Sequence, residues 1–148
     1  MKNSEVDDTF ESLLKAHARD PKHARRLETP DLSGKGTNAR CGDAVEIEIT
    51  LSSDGGSVED AAFTAKACGL CVASASMLCE LVHGRLSADL DALAEGLIAG
   101  QTTDTNAVWN ALLAVLAAYP QRRRCIELPW SALQNALRQP RNQRMISP

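Results

Sequence analysis

The stretch "AVEIEITLSSDGGSVEDAAFTAKAC", residues 44–68, decides the fold. Residues 44–51 alternate apolar and polar side chains, which is typical of a strand with one buried face. The Asp-Gly-Gly turn at residues 54–56 reverses the chain, and residues 57–66 return as a second strand. The sequence therefore predicts an antiparallel hairpin, flanked by a third strand from the 30s. The side chains predicted to face inward are Val45, Ile47, Ile49, Leu51, Ala61, Phe63 and Ala65.

Helical periodicity occupies most of the remaining chain. Apolar residues from Val6 to His17 recur at helical spacing, and Pro21 ends this first helix. After Gly69 four more helices are predicted, the last with Pro129 in its first turn. The fold class is therefore α+β, a small antiparallel sheet of about three strands packed on one face against a cluster of about five helices. The other helix boundaries are predicted from Gly84, Ser87, Gly100 and Pro120.

Length and composition limit the function classes. The chain has 148 residues and 44% hydrophobic content, which suits a single domain over 1–148 with a loop at about 20–40 and a tail at about 140–148. Five cysteines and an N-terminal segment without an apolar signal-like core indicate a cytoplasmic metal or thiol site rather than a disulfide framework. The net charge of −3, the 3% aromatic content and the short apolar runs argue against nucleic acid and membrane as partners.

Three of the cysteines lie on loops or at the ends of predicted elements. Cys41 precedes the first strand of the hairpin and Cys68 follows the second, so antiparallel pairing brings both to one end of the sheet. Gly42 is expected to allow a close approach of the backbone beside Cys41. Cys68 also starts a helix, whose positive end favours its thiolate. Cys125 follows three arginines in the link between the last two helices, and these cations are expected to stabilise its thiolate.

The other two cysteines, Cys71 and Cys79, lie inside a predicted helix. At i and i+8 they share one stripe of that helix, where small residues and cysteines are usually buried. Both are expected to be structural, with Cys71 kept as a spare thiol one turn from Cys68. The residues alone leave open whether the remaining three cysteines form one site. The side chains with a structural interpretation, rather than a ligand role, are His17, His23, His83 and Trp130.

Three spaced motifs resemble those of a known family. They are "N-x-x-C-G-D" at residues 38–43, "C-x-x-x-x-A-S-A-S-M" at 68–77, and "Y-P-x-R-x-x-C-x-x-L-P-W" at 119–130. In this order they resemble the U-type iron–sulfur cluster assembly scaffold family, which includes IscU, the N-terminal domain of NifU, and SufU. The resemblance covers nearly the whole chain, because the opening helix ending in "AHARDP" is also similar to that family's start.

This resemblance implies a site, a cofactor and partners. The family's three ligand cysteines fall on Cys41, Cys68 and Cys125, and its aspartate falls on Asp43. The implied cofactor is zinc or a labile [2Fe–2S] cluster, and Cys41 is the implied persulfide acceptor. The implied partners are a pyridoxal-phosphate cysteine desulfurase and recipient apo-proteins or cluster carriers. Arg124 stands where the IscU branch has a histidine. The long helical stretch between Cys68 and Cys125 and the ending at residues 119–130 resemble the SufU branch, with zinc binding and sulfur relay, more than IscU.

Two other functions are compatible with the cysteine spacing. A thiol–disulfide oxidoreductase would use Cys68 and Cys71 at the strand–helix turn of a βαβ unit, which the predicted hairpin does not offer. A structural zinc module would hold four ligands with no open position, and metal removal would unfold it. The resemblance leaves open whether the protein is an enzyme: it is compatible with a zinc-dependent sulfurtransferase or a scaffold, but not with a stand-alone metabolic enzyme.

Overall fold

The computed structural model describes residues 12, 15–21, 23–40, 42–99 and 107–138. Its sheet has three strands, β1 (Leu32–Asn38), β2 (Asp43–Leu51) and β3 (Val58–Lys66). The strands lie in the order β1-β2-β3, and both neighbouring pairs are antiparallel. The predicted hairpin and the third strand beside it are therefore confirmed.

The inner face of the sheet carries most of the predicted apolar residues. The buried ones are Val45, Ile47, Ile49, Leu51, Ala61 and Phe63. The prediction for Ala65 is wrong, because Ala65 and Lys66 are both exposed at the end of β3. This end of the strand extends beyond the covering helices and leads directly towards Cys68.

The outer face of the sheet is partly covered as well, although helices were expected to cover one face only. Glu48 is 4% exposed, because the Leu27 N–H donates to its Oε1 at 2.9 Å and Arg26 Nη2 donates to its Oε2 at 3.3 Å. Arg26 also pairs with Glu46 at 3.5 Å. The connection before β1 therefore crosses this face and pairs with the carboxylates of Glu46 and Glu48. The alternation of apolar and polar residues along β2 does not predict that the outer face of the sheet is partly covered.

The outer edge of β3 is occupied by the chain at residues 23–25. The Phe63 N–H donates to the His23 C=O at 2.9 Å, and Ala24 forms a parallel bridge with Phe63. Arg25 donates to both carboxylate oxygens of Asp60 at 2.8 Å. His23 has a φ of 128°, a strained value for a residue other than glycine. This short segment closes one edge of the sheet.

Helices follow the sheet, as the sequence predicts. They are α1 (Gly69–Val82), α2 (Leu90–Ile98), α3 (Ala107–Ala118) and α4 (Arg123–Arg138). Short 3-10 turns at Ser87–Asp89 and Pro120–Arg122 precede α2 and α4, and residues 15–19 are also helical. The prediction of about five helices is confirmed, although Val6 and Gly100, which helped to define it, lie outside the described residues. None of the helices that the structure describes is long and apolar enough to cross a membrane.

Two predicted helix starts are wrong. α4 begins at Arg123, so Pro129 lies in its interior rather than in its first turn. The reason is that the 3-10 turn beginning at Pro120 runs directly into α4 and starts the helix earlier. Ser87 does not cap α2 through its side chain, because its Oγ donates to the Gly55 C=O at 2.8 Å instead.

Two glycines of β1 let α4 approach the sheet closely. A Cβ on Gly34 would lie 2.3 Å from the carbonyl oxygen of Ala132, and one on Gly36 would lie 2.9 Å from that of Leu128. Both distances are too short for a side chain, so only glycine fits under the helix at these positions. The close packing determines where the first turn of α4, which contains Cys125, meets the end of the sheet.

Candidate metal centre

Two helix N-termini meet at one end of the sheet. Cys68 is the N-cap residue of α1 and comes directly after β3. Cys125 is the third residue of α4, so the prediction that placed it in a link between helices is wrong. The 3-10 turn and the first turn of α4 take up the residues of that link. Both thiols lie at the positive ends of helix dipoles, where a negative charge is stabilised.

Asp43 brings a carboxylate to the same end of the sheet. It is the first residue of β2, and its neighbour Ala44 pairs with Lys66 at the end of β3 that leads to Cys68. Asp43 is 7% exposed, and its Oδ2 oxygen is buried with no hydrogen-bond donor among the described residues. A buried carboxylate oxygen without a donor is costly unless a cation binds it. The donor set of one carboxylate and two thiols therefore fits a metal ion.

The three groups converge on one point. One ligand atom each from Asp43, Cys68 and Cys125 lie within 4.8 Å of one another. In a tetrahedral zinc site with Zn–S bonds of about 2.3 Å and Zn–O bonds of about 2.1 Å, neighbouring ligand atoms are about 3.6–3.8 Å apart. Side-chain rotations that move these atoms by roughly 1 Å would close them around an ion. Within the described ranges no other three cysteine, histidine or acidic residues meet in this way.

Cys41, the fourth predicted ligand, lies outside the described residues. The chain on either side of it is defined, because the Gly42 N–H donates to the Asn38 C=O at 2.8 Å and the Arg40 N–H donates to the Asn38 side chain at 3.2 Å. Gly42 has a φ of 75°, which other residues rarely adopt. No described atom lies within 4 Å of a Cβ built there, so the predicted close backbone approach is not found within the described part of the chain. The turn itself requires the glycine.

Arg122, the arginine of the motif at residues 119–130, also belongs to the site, a role that the sequence does not distinguish from that of its two arginine neighbours. Its Nη2 donates to the Cys68 sulfur at 3.5 Å. Hydrogen bonds to Cys125 and Cys68 raise the pKa of the Arg122 guanidinium. The next arginine, Arg123, pairs instead with Glu127, one turn further along α4. The signal that could have found Arg122 is Pro120, which starts a tight turn and so directs this arginine back towards the thiols.

The sequence predicts that three arginines stabilise the Cys125 thiolate. This prediction is wrong, because the pKa of the Cys125 thiol is raised overall. Burial raises the pKa of the Cys125 thiol, the hydrogen bond from Arg122 lowers it, and the neighbouring Cys68 raises it again. Of the three arginines, Arg122 is the one that acts on the thiol, while Arg124 is exposed. A bound cation would favour the thiolate forms of both cysteines, because a metal ion deprotonates a thiol that coordinates it.

The cysteines inside α1 are isolated from this centre. Cys71 and Cys79 are both 0% exposed, and burial raises the pKa of the Cys79 thiol, which keeps it neutral. The prediction that both are structural residues is confirmed. The oxidoreductase alternative lacks support, because Cys71 is inaccessible and the described strands are antiparallel, without a βαβ unit.

Two buried polar side chains fix α1 in place. His17 Nδ1 lies 2.7 Å from Ser76 Oγ, and His17 Nε2 lies 3.8 Å from Glu80. Trp130 is fully buried, and its Nε1–H donates to Ser74 Oγ at 3.2 Å. The structural interpretations of His17 and Trp130 are therefore confirmed. Through these contacts α1, the helix that Cys68 starts, is held from two sides.

A three-stranded antiparallel sheet covered by helices, with a carboxylate and two thiols gathered at one end, defines the class of U-type scaffold domains. The chain belongs to the NifU-like N-terminal domain family, whose model matches residues 10–145.

Relatives of this chain carry the names IscU, SufU and NifU. The chain is 28% identical to the iron–sulfur cluster assembly scaffold protein IscU of Streptococcus pyogenes serotype M1, over 94% of this chain and 89% of the relative. It is 31% identical to the protein of the same name from Thermotoga maritima, over 87% and 92%. It is 25% identical to the zinc-dependent sulfurtransferase SufU of Bacillus subtilis, over 91% and 93%. The greater likeness to the SufU branch stays a prediction.

Solved structures show the same fold. A NifU-like protein (N-terminal) from Brucella abortus superposes with a TM-score of 0.73 at 21% identity, covering 90% of this chain and 94% of that one. A protein described as a candidate iron–sulfur cluster assembly scaffold for the SUF system of Fervidobacterium islandicum AW-1 superposes with a TM-score of 0.70 at 23% identity, covering 85% and 94%. The predicted α+β, IscU/NifU-like fold is confirmed.

Proposed function

We propose that this protein accepts persulfide sulfur from a pyridoxal-phosphate cysteine desulfurase at a zinc centre and delivers it to iron–sulfur cluster assembly. The observation that carries the proposal is the convergence of Asp43, Cys68 and Cys125 within 4.8 Å, around a carboxylate oxygen that no described donor satisfies. The sequence places a fourth candidate ligand, Cys41, two residues before Asp43. The name of the Bacillus subtilis relative, a zinc-dependent sulfurtransferase, supports the same function.

In this proposal the residues have different roles. Cys68 and Cys125 are the fixed ligands, because both are built into helix N-termini, while Asp43 is the harder and more exchangeable ligand. Bound zinc would hold the thiols as thiolates at neutral pH. Arg122 adds a fixed positive charge beside Cys68. Cys41 is the proposed acceptor, since along the chain it lies between β1 and β2 and outside the two helices that carry Cys68 and Cys125.

The sulfur transfer itself is a thiol exchange without net oxidation. The Cys41 thiolate attacks the outer sulfur of the desulfurase persulfide, and a new S–S bond forms on Cys41. The S–S bond in the desulfurase breaks, and its cysteine leaves as a thiolate. The proton of the persulfide stays on the transferred sulfur. Charge and electron count are therefore the same on both sides. Persistent thiolates of this kind suit a reducing compartment, and we propose the cytoplasm.

A second candidate function uses the same groups. The relatives named IscU, at 28% and 31% identity over most of the chain, favour a scaffold on which a labile [2Fe–2S] cluster is assembled. Thiolates are the usual ligands of such clusters, and an exchangeable carboxylate would aid release. Recipient apo-proteins or cluster carriers would then be further partners. Under this alternative the metal substrate is iron rather than zinc.

Metal analysis of protein purified anaerobically, without added iron, tests the proposal. We expect about one zinc per chain, because the four candidate ligands suit one tetrahedral site. After incubation with desulfurase and cysteine, mass spectrometry is expected to find the additional sulfur on Cys41. Protein without zinc, or sulfur found only on Cys71, would contradict the proposal. A zinc-loaded protein that unfolds on chelation and accepts no sulfur would instead be a structural zinc module.

A further inference from the structure

The two edges of the sheet differ in how their backbone groups are used. At the β3 edge, the Phe63 N–H is already bonded to the His23 C=O. At the β1 edge, the Lys35 C=O accepts a hydrogen bond of 2.7 Å from Asn135 Nδ2 of α4. The N–H and C=O of alternate residues in a strand point to the same side. Thr37, two residues after Lys35, therefore directs its backbone groups to the outer edge of β1.

The direction of these groups is supported by the next residue. The Asn38 C=O accepts the hydrogen bond from Gly42, on the side of β2. Asn38 thus points inwards, and Thr37 before it points outwards. Thr37 is exposed, and no hydrogen bond outside the strand ladder is found for it within the described residues. A strand edge with unused backbone groups can pair with another extended chain.

A groove begins at this open edge. It lies between the end of β1 and the first two turns of α4 and has a volume of about 310 Å³. Thr37 and Arg40 line one wall, and Arg124, Leu128 and Ser131 line the other. A strand edge that faces a helix across a groove is the arrangement in which several domains bind an extended peptide by adding it to the sheet.

The groove is positively charged. Arg40 and Arg124 are exposed on opposite walls, and no ion pair joins either of them to a described acid. The acid that also lines the groove, Glu127, is already paired with Arg123. Arg40 precedes Cys41 and Arg124 precedes Cys125 along the chain, so the charges lie at the metal-centre end. The groove therefore selects a negatively charged occupant that approaches the thiols.

We propose that an extended, acidic segment of the cysteine desulfurase adds to β1 at Thr37 and lies in this groove, with carboxylates against Arg40 and Arg124. This inference rests on the proposed function and names the docking surface that it needs. The chain's own C-terminal residues 139–148 contain two arginines and no acid, so their charge does not fit. Its acidic N-terminal residues precede the segment at 23–25, which lies at the opposite edge of the sheet.

Charge reversal tests the docking surface on the full chain. Arg40→Glu and Arg124→Glu are each expected to weaken binding to the desulfurase by about 10-fold or more, in line with the loss of a close charge pair at an interface. The matched control is Arg138→Glu, an exposed arginine in the last turn of α4, which is expected to change binding by less than about 2-fold. Zinc content is measured on all three variants. If the groove variants bind as the control does, the docking inference is wrong.

A backbone substitution tests strand addition separately from charge. Thr37→Pro removes the outward N–H and leaves the β2 ladder intact, whereas Thr37→Ala keeps that N–H. We expect the proline variant to lose about 10-fold in affinity for the desulfurase, and the alanine variant less than about 2-fold. Hydrogen exchange of the Thr37 amide in the wild-type chain is expected to slow when the desulfurase binds. An unchanged exchange rate in the complex would overturn strand addition, even if Thr37→Pro fails to fold.

The outcomes separate this inference from the proposed function. If the wild type accepts no sulfur at saturating desulfurase, both fail. If sulfur is transferred but the groove variants behave like Arg138→Glu, only the docking inference fails. The own-segment alternative is tested by neutralising the N-terminal acids: if that change removes the effect of Arg40→Glu, the occupant is this chain and the inference is wrong. The four acids are Glu5, Asp7, Asp8 and Glu11.

Discussion

Cys68 and Cys71 lie one helical turn apart, yet their surroundings are opposite. Cys68 is half-buried at the N-cap of α1, with Arg122 at 3.5 Å and two further candidate ligands within 4.8 Å. Cys71 is 0% exposed inside the same helix. Their Cys-x-x-Cys spacing suggests a pair, but the fold separates them. Whether a thiol of α1 is available as a ligand therefore depends on whether it starts the helix or lies within it.

Replacement of each thiol in turn, with measurement of zinc affinity, tests whether Cys68 and Cys71 belong to one site. Cys68→Ser and Cys125→Ser are expected to lower zinc affinity by about 100-fold or more. The binding free energy of a structural zinc site is about 10–16 kcal/mol, and each of four ligands contributes roughly a quarter of it. Competition with a chromophoric chelator measures the affinity. Cys71→Ser is the matched control and is expected to bind zinc like the wild type. A Cys71→Ser protein that loses its metal as Cys68→Ser does would show that the two thiols belong together.

Asp43 is the third group of the site around Cys68, and its Oδ2 oxygen has no hydrogen-bond donor among the described residues. Asp43→Ala is expected to weaken zinc binding by about 10- to 100-fold, less than loss of a thiolate, and to abolish stimulation of the desulfurase. The position that the IscU branch fills with histidine holds Arg124, which stays protonated and does not replace the carboxylate. Chelator competition and desulfurase turnover are the measurements. Full zinc affinity in Asp43→Ala would mean that a group other than Asp43, Cys68 and Cys125 supplies the missing ligand.

Cys79 lies in the interior of α1, where a thiol contributes to stability through packing. Cys79→Ser places a hydroxyl in a fully buried position and is expected to lower the free energy of unfolding by about 1–3 kcal/mol. Zinc affinity should not change. Urea denaturation of the zinc-loaded protein measures the effect, with Cys79→Ala as the control that adds no polar group. A serine variant as stable as the wild type would contradict the assignment of Cys79 to the core.

The sequence predicts the sheet more reliably than the site. The alternation from Val45 to Leu51 is a local signal, so the hairpin and the meeting of its two ends follow from it directly. The alternation says nothing about Glu48, which is buried by a connection that is distant in sequence. Burial of Glu48 results from a tertiary contact, which the alternation of apolar and polar residues along one strand does not predict.

The three motifs predict which residues form the site, but they do not predict how a turn positions them. Cys68 and Asp43 meet because the strand register places them together, which the sequence analysis anticipated for this end of the sheet. The role of Arg122 and the position of Cys125 depend on a 3-10 turn that continues into α4 past Pro129. A proline inside a helix contradicts the usual rule, so Pro129 predicts a helix start later than the observed one.

Cys79 is also expected to add a small pH dependence to the free energy of unfolding. Burial raises the pKa of this thiol in the folded chain above that of an ordinary cysteine, about 8.5. A thiol with a raised pKa stabilises the fold fully below the pKa of the unfolded chain, and this contribution is lost as pH rises above that value. Between about pH 8 and about pH 9.5 the loss is about 1 kcal/mol, because the unfolded thiol ionises and the buried one does not.

Urea denaturation of zinc-loaded wild type and Cys79→Ala at the two pH values isolates this contribution, since the other thiols titrate alike in both proteins. The wild type is expected to lose about 1 kcal/mol more than the variant over this range. Equal losses in the two proteins would mean that Cys79 reaches water, and the contrast between the end and the interior of α1 would no longer hold.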